Sequence, residues 1–230
     1  MRKVASGIVS AGGAHSLALW PDTSIGVWGD DSDGQVSGTP RIRAFVAVSA
    51  GGHHSLALRT GGGIVAWGWD GRGQVSGMGF GALGALTAVS AGGSHSLALR
   101  ADGRVEAWGN DRHRQVSGLS GGTGRFVAVS AGGSHSLALR ADGRVEAWGC
   151  DLQGQVSGTP NGAWAAVSAG GHHSVAVRAD GSVVAWGFGA AGRCDVPAFA
   201  CAGRPAGTWA EEEARLRRRR DEAMGRALGF

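Results

Sequence analysis

The sequence lacks the features that mark a disulfide-rich secreted domain or a membrane protein. Its three cysteines, Cys150, Cys194 and Cys201, form no CxxC pair and leave one thiol over in any disulfide scheme. Reduced thiols in a cytoplasmic or nuclear protein are the simplest interpretation. The N-terminal segment MRKVASGIVSAGG has no apolar signal-peptide core, and no apolar run is long enough to span a membrane. We therefore expect neither a signal peptide nor a transmembrane helix.

Lysine is almost absent, so arginine supplies 21 of the 22 basic residues. These arginines are distributed along the chain and are not gathered into one basic domain. The net charge of +4 is therefore weak evidence for a nucleic-acid partner.

What the sequence has in abundance is repetition. Residues 88–109, AVSAGGSHSLALRADGRVEAWG, recur unchanged at 128–149, and three looser copies complete the pattern. Each copy has a histidine, a tryptophan 13 residues later and, in four of the five, a glutamine 7 residues beyond that; Arg193 replaces the last glutamine. We predict five units, approximately 4–38, 39–77, 78–118, 119–158 and 159–197, in one domain over 1–208.

The unit predicts four short β-strands. A run such as FVAVSA is followed by a Gly-Gly turn, the alternating segment HSLAL, an Asp-Gly hairpin signal and a third strand that ends at Trp-Gly. The segment Gln-Val-Ser-Gly is interpreted as a fourth strand. Four strands in about 40 residues predict an all-β fold, a β-propeller of about five blades. Because turns alternate between faces, the Gly-Gly turn and the loop after Trp-Gly should share one face.

The pattern AGGxHSLALRADGxVxAWGxDxxGQ resembles the repeats of the regulator of chromosome condensation family. The resemblance covers roughly residues 4–197 and implies a propeller, which in that family usually has seven blades. It also implies two functions known in the family, nucleotide exchange on a small nuclear GTPase with chromatin binding, and inhibition of β-lactamases by a secreted relative. The exchange factor uses a protruding β-wedge, for which units of 38–41 residues leave no room.

The repeated histidines and tryptophans are interpreted as structural residues. A histidine after each Gly-Gly turn is better placed as a hydrogen-bonding lock between strands than as a metal ligand, because equivalent residues around a propeller do not converge on one ion. The tryptophans should pack blade against blade. The residues are His15, His54, His95, His135 and His173, and Trp28, Trp67, Trp108, Trp148 and Trp186. We expect no metal, no cofactor and no catalytic constellation.

The units differ most in the loop after Trp-Gly, which is where we expect a protein partner to bind. The candidate residues are Asp30, Asp33, Trp69, Arg72, Asn110, Arg112, His113 and Phe188. The connectors on the opposite face supply a second set, namely Arg41, Arg43, Phe80, Arg125 and Trp164.

The last residues, 209–230, change character. Glutamates at 211–213 precede the run RLRRRR with favourable i, i+4 pairs, which predicts a charged helix. RLRRRR is compatible with a self-paired solvated helix and with a nuclear-localisation or nucleic-acid patch.

The sequence is compatible with three functions. The first is a non-enzymatic scaffold that binds another protein through the loops after Trp-Gly. The alternatives are a guanine-nucleotide exchange factor or chromatin-associated regulator of a small GTPase, and an enzyme inhibitor of the secreted type. Five units leave open whether the ring closes, stays an arc or dimerises through an unpaired edge.

Overall fold

The chain forms five separate sheets, each built from three antiparallel strands in sequence order. The structure, a computed structural model, describes residues 8–78, 85–119 and 125–197. Each sheet is one blade. Blade 1 consists of β1 Ile8–Ala11, β2 His15–Leu19 and β3 Ile25–Gly29, and blade 2 consists of β4 Phe45–Ala50, β5 His54–Arg59 and β6 Ile64–Gly68. Blade 3 consists of β7 Leu86–Ala91, β8 His95–Arg100 and β9 Val105–Gly109, and blade 4 consists of β10 Phe126–Ala131, β11 His135–Arg140 and β12 Val145–Gly149. Blade 5 consists of β13 Ala166–Ala169, β14 His173–Val177 and β15 Val183–Gly187.

Blade 3 shows how the repeat folds locally. The middle strand β8 pairs with β7 on one side and with β9 on the other, so that Ser96 lies opposite both Ala91 and Trp108. The hairpin between β8 and β9 turns at Gly103, whose φ of 86° favours glycine. The Asp102 carboxylate accepts a hydrogen bond from the Arg104 amide and holds that turn. The Asp-Gly hairpin predicted from the sequence is therefore confirmed.

The predicted fourth strand is wrong within the described residues. The segment Gln35 to Gly38 forms a compact turn, in which the amide of Gly38 donates to the carbonyl of Gly34. The amides of Val36 and Ser37 donate to the Asp31 carboxylate. Because these amides are already bonded, they cannot form a ladder with a neighbouring strand.

The blades pack face to face, which buries both surfaces of each inner sheet. Leu97 and Leu99 of blade 3 pack against Phe126 and Trp148 of blade 4, and the same layer forms between blades 1 and 2, 2 and 3, and 4 and 5. The middle strands of blades 2 to 4 are consequently buried along most of their length. In β8, for example, residues His95 to Leu99 are all buried. The stacked, repeated sheets confirm the propeller-type fold.

A ladder of glycines joins the blades around a central channel of about 350 Å³. The amide of the second glycine in one blade donates to the carbonyl of the first glycine in the next. These bonds are Gly13 to Gly51, Gly52 to Gly92, Gly93 to Gly132 and Gly133 to Gly170.

The ladder ends at blade 5, so the described blades form an open arc. Gly171 has no atom within 4 Å of the position that a Cβ would take, whereas Gly13 has the Gly52 carbonyl oxygen at 2.9 Å. Blade 5 makes no face-to-face packing on blade 1 of the kind that joins successive blades, as far as residues 8–78, 85–119 and 125–197 are concerned.

Alanine substitutions at equivalent glycines should reveal this open edge. A Cβ at Gly52 would lie 2.5 Å from the Gly93 carbonyl oxygen, so Gly52→Ala is expected to cost about 1–3 kcal/mol of unfolding free energy through overpacking. Gly171→Ala meets no atom and should change stability by less than about 0.5 kcal/mol. Urea denaturation of the two variants measures the difference. Equal losses would show that blade 5 is covered like the others.

Candidate interaction face

The Gly-Gly turns and the loops after Trp-Gly lie on one face, as the sequence predicts. The amide of Trp69, in the loop after β6, donates to the carbonyl of His53, in the turn before β5. The His53 ring lies 3.3 Å from the carboxylate of Asp33, which belongs to the loop of blade 1. We call this surface the loop face; its loops are residues 30–34, 69–73, 110–114, 150–154 and 188–192.

Each loop in blades 1 to 4 is held by two side chains. Asp31 Oδ1 accepts hydrogen bonds from the amides of Val36 and Ser37, at 2.9 and 2.8 Å. The Ser37 amide, followed by the Val36 amide, lowers the pKa of the Asp31 carboxyl below its usual value. The buried Gln35 reaches back with Oε1 to the amide of Asp33 at 2.8 Å. The same bonds recur at Asp70, Asp111 and Asp151 and at Gln74, Gln115 and Gln155.

This frame leaves the tips of the loops exposed. Asp33, Arg72, Arg112 and His113 are exposed in blades 1 to 3. Trp69 and Phe188 are half-buried, each with its ring edge against a histidine of the neighbouring turn, His53 and His172. Such edge-to-face contacts orient the aromatic rings while part of each remains accessible.

Two of the predicted contact residues serve the frame as well as the surface. Asp30 Oδ2 accepts hydrogen bonds from Ser32 Oγ and from Gln35 Nε2, and Asn110 Oδ1 accepts one from the Arg112 amide. Asp30 is exposed and Asn110 is half-buried. The role of glutamine was not predicted, although its constant distance from tryptophan was visible in the sequence.

Charge and polarity vary around the loop face. Blade 1 contributes the carboxylates of Asp30, Asp31 and Asp33, whereas blades 2 and 3 combine the exposed arginines Arg72, Arg112 and Arg114 with the carboxylates of Asp70 and Asp111. Blades 4 and 5 add apolar area: Leu152 is 82% exposed, and the Phe188 ring centre lies 5.2 Å from the Arg193 guanidinium. The face is therefore acidic on blade 1, mixed in charge on blades 2 and 3, and more apolar on blades 4 and 5.

The opposite face is less uniform than predicted. Arg41 and Arg43 are exposed, with Arg43 3.4 Å from Asp22, and Arg125 is exposed beside Gly103. Phe80 lies outside the described residues, as does the predicted helix 209–230.

Trp164 is not a surface residue, and the prediction that it contributes to a connector face is wrong on that point. It is 4% exposed and packs with Leu137 and Leu139, while the Arg178 guanidinium stacks 4.4 Å from its ring centre. Its amide donates to the Gly143 carbonyl, just as the Phe126 amide donates to that of Gly103. Trp164 thus fills the position that phenylalanine or leucine holds at the start of other blades.

The repeated histidines lock blade to blade. Nε2 of each histidine lies 2.7–2.9 Å from the hydroxyl of a serine in the next blade: His15 with Ser55, His54 with Ser96, His95 with Ser136 and His135 with Ser174. The Ser96 hydroxyl donates to the Gln74 carbonyl, so it accepts the proton of His54 Nε2. Burial, the largest cause, lowers the pKa of His54, His95 and His135 to about 4, which keeps the rings neutral.

These histidine–serine pairs resemble catalytic dyads only in composition. His54, Ser96, His95 and Ser136 are completely buried, so no substrate can reach the hydroxyl groups. The pairs also join different blades, whereas the histidine and serine adjacent in sequence do not bond. No cluster of three or more potential metal ligands occurs in the described part of the chain, and Cys150 and Cys194 are free thiols there.

The repeated tryptophans complete the joints between blades. The indole N–H of Trp67 donates to the Gln35 carbonyl at 2.9 Å, and Trp108, Trp148 and Trp186 make the equivalent bond at 2.8–3.0 Å. These four side chains are 4–7% exposed. Trp28 of blade 1 is different: it is 53% exposed and has no such bond within the described ranges.

The sequence profile of the Regulator of chromosome condensation (RCC1) repeat matches residues 45–74, 86–115, 126–155 and 164–193. The chain belongs to this family. Each matched stretch runs from the first strand of a blade to its glutamine, or to Arg193 in blade 5, so the profile covers blades 2 to 5. No curated protein sequence matches the chain.

Solved propellers share the fold of this RCC1-repeat chain. Human WBSCR16 is similar with a TM-score of 0.67 at 19% identity, over 78% of this chain and 61% of that one. A chain in the structure of Kap60 bound to yeast RCC1 (Prp20) has a TM-score of 0.67 at 20% identity, over 87% and 61%. The ectodomain of the Physcomitrella patens receptor kinase CR4 has a TM-score of 0.66 at 25% identity, over 78% and 51%. This chain therefore matches less than two thirds of these longer structures.

The only helix in residues 8–78, 85–119 and 125–197 is the single 3-10 turn Ala190–Gly192. None of the described helices could therefore cross a membrane.

Proposed function

We propose that this RCC1-repeat chain is a non-enzymatic scaffold whose loop face binds a protein partner. The observation that carries the proposal is the combination of rigid loops and variable tips. Asp31 and Gln35, with their counterparts in blades 2 to 4, hold the loop backbones in one conformation. The tip residues differ from blade to blade and are exposed or half-buried. A fixed platform with side chains of different chemistry is suited to the recognition of one particular surface.

The chemistry of the loop face favours a folded protein over a nucleic acid. The arginines on the loops of blades 2 and 3 lie beside the carboxylates of Asp70 and Asp111, and blade 1 adds three further carboxylates, which would repel phosphates. The half-buried rings of Trp69 and Phe188 are held in place and offer apolar area, and tryptophan and arginine are enriched at the centres of protein interfaces.

Relatives support a protein partner but do not identify it. Prp20p of Saccharomyces cerevisiae, similar with a TM-score of 0.51 at 19% identity, is described with its binding properties to Gsp1p and histones. A small GTPase or a chromatin protein is accordingly a candidate partner for this chain. Binding and nucleotide exchange are separate properties, and we propose only that the loop face binds such a partner.

The test replaces one side chain in each of three loops, those of blades 2, 3 and 5. The triple variant Trp69→Ala, Arg112→Ala and Phe188→Ala should reduce partner capture by at least about tenfold, because it removes two aromatic contacts and one exposed charge. Immobilised protein would be exposed to cell extract, and the captured proteins would be quantified by mass spectrometry. Its urea midpoint should stay close to that of the parent protein.

The matched control is Arg43→Ala, Ile42→Ala and Arg125→Ala, three exposed residues of the opposite face. This variant should keep full binding. Equal capture by the two variants would contradict the proposal, as would a loss that follows unfolding. A nucleotide-release assay on any GTPase captured by the parent protein distinguishes simple binding from exchange. Simple binding would leave the rate of nucleotide release unchanged, whereas exchange activity would raise it.

A further inference from the structure

The four junctions between blades share one set of contacts, which we call the blade joint. The earlier blade contributes its histidine ring, a serine hydroxyl and the carbonyl of its glutamine. The later blade contributes a serine hydroxyl to the histidine, an alanine amide to the other serine and an indole N–H to the glutamine carbonyl. For blades 2 and 3 these are His54 with Ser96, Ser49 with Ala91 and Gln74 with Trp108.

Blade 1 exposes the later half of such a joint. Ser16 and Trp28 occupy the positions of Ser96 and Trp108, yet neither has the corresponding partner among the described residues. Val9 is 76% exposed, whereas Val48 at the same position in blade 2 is 7% exposed. A half-exposed tryptophan and an exposed valine on the same blade give it apolar surface that water covers poorly.

Blade 5 exposes the earlier half. His173 occupies the position of His54 but has no serine partner within the described ranges. Val175 and Val177 are half-buried, while Leu137 and Leu139 at the same positions in blade 4 are 0% and 3% exposed. Gly171 ends the glycine ladder without a neighbour.

We propose that these two open edges bind further blades of the same repeat type, supplied by another polypeptide, so that the two chains together form a composite propeller. The edges continue an interface that the chain already forms four times. An incoming RCC1-type blade carries a serine and an indole for His173 and its surroundings, and a histidine for Ser16. This interaction is independent of the loop face, since it uses the sides of the terminal blades.

A second copy of the chain is a poorer candidate for this site. The Ala-Gly-Gly segments of all five blades line one central cavity, so blades 1 and 5 both border it. We therefore expect the partner to present fewer blades than this chain has.

The first experiment tests whether the two edges can complete joints. Residues 88–109 and 128–149 are identical, so one, two or three extra copies of residues 88–127 can be inserted after Val127 with natural junctions. Because the added blades lengthen the middle of the arc, the edge of blade 5 should meet the edge of blade 1 at one insert number. Oxidation of Trp28 by N-bromosuccinimide, followed by peptide mass spectrometry, should then fall by about tenfold, to the rate of Trp108.

A substitution at the edge provides the internal control. His173→Ala should leave the urea midpoint of the parent chain unchanged, because His173 has no partner in the described part of the parent chain. In the insert variant that closes, the same substitution should lower the midpoint. If Trp28 is oxidised equally at every insert number, the edges are not competent and the proposal is overturned.

The second experiment tests supply by another chain. Two tandem copies of residues 88–127, carrying an affinity tag, would be co-expressed with the full-length protein. Co-purification in a defined ratio, with protection of Trp28, is expected; Ser16→Ala together with His173→Ala should reduce recovery by about tenfold. If the inserts close the ring but the tandem copies do not co-purify with the full-length protein, the proposal that another chain supplies the blades is overturned.

The parent protein alone distinguishes the other occupants. Light scattering should show a monomer in which Trp28 reacts rapidly and Trp108 does not. Self-association that protects Trp28 would overturn the proposal in favour of a second copy. Protection of Trp28 in the monomer would overturn it in favour of the chain's own remaining residues.

Discussion

Trp108→Ala is expected to lower the free energy of unfolding by about 3–5 kcal/mol, whereas Trp28→Ala should lower it by less than about 1 kcal/mol. The two residues occupy the same position in their units. Trp108 is 5% exposed, packs with Leu56 and Leu58 and donates its indole N–H to the Gln74 carbonyl at 2.8 Å. Trp28 is 53% exposed and has no equivalent bond in the described ranges.

Urea denaturation of both variants measures this contrast. The cost at Trp108 combines lost apolar burial, a cavity between blades 2 and 3 and the loss of one of the two hydrogen bonds to the Gln74 carbonyl, which keeps its bond from the Ser96 hydroxyl. The comparison is well matched, because the residue type, the strand position and the substitution are the same. Similar losses at the two sites would mean that blade 1 is covered in solution, contrary to the open arc.

Acid is expected to destabilise the protein strongly between about pH 6.5 and pH 4. Burial, followed by the charges of neighbouring histidines, lowers the pKa of His54, His95 and His135 from 6.5 to about 4. The unfolded chain therefore binds protons in this range that the folded chain excludes, so stability is full above pH 6.5 and is lost as the pH falls towards 4. Each histidine alone accounts for about 3 kcal/mol.

Taken together, three such groups rival the whole stability of a typical domain, about 5–15 kcal/mol. We therefore expect acid unfolding above pH 4, before most carboxylates take up protons. Urea titrations at a series of pH values give the slope. His95→Gln should reduce the slope, because it removes one buried proton site, while His113→Gln on the exposed loop serves as the control. A stability that is flat from pH 6.5 to 4 would contradict the neutral, buried histidines.

Much of the fold can be predicted from the repeated sequence alone. Alternation in HSLAL predicts the middle strand, and Asp102-Gly103 predicts its hairpin, since both signals are local. The alternation of turns predicts that His53 and Trp69 lie on one face, where their main chains bond.

The errors arose where a contact between blades decides the structure. The segment Gln35 to Gly38 has the composition of a strand, but the Asp31 carboxylate accepts hydrogen bonds from the amides that would form a strand ladder. Trp164 reads as a variable surface residue because other blades have phenylalanine or leucine there, although all of them fill the same core position. The sequence also pairs no histidine with a serine 39–42 residues away, because that pairing requires the stacking of blades.

Whether the ring closes could not be predicted, because closure depends on the angle between blades and not on any single unit. Trp28 and Trp108 occupy the same position in their units and have opposite exposures in the structure. The candidate face lies where the sequences of the units differ, whereas the aspartates and glutamines that hold its loops lie where four of the units agree.

The hydrogen exchange of the indole N–H groups tests the central claim, an arc of five blades with four complete joints, most directly. In a ¹⁵N-labelled protein, assigned by single substitutions, the indole protons of Trp67, Trp108, Trp148 and Trp186 should exchange slowly, because each donates to a buried carbonyl. The indole proton of Trp28 should exchange at the rate of an exposed side chain. Slow exchange at all five positions would show that blade 1 is joined to a further surface and would contradict the open arc.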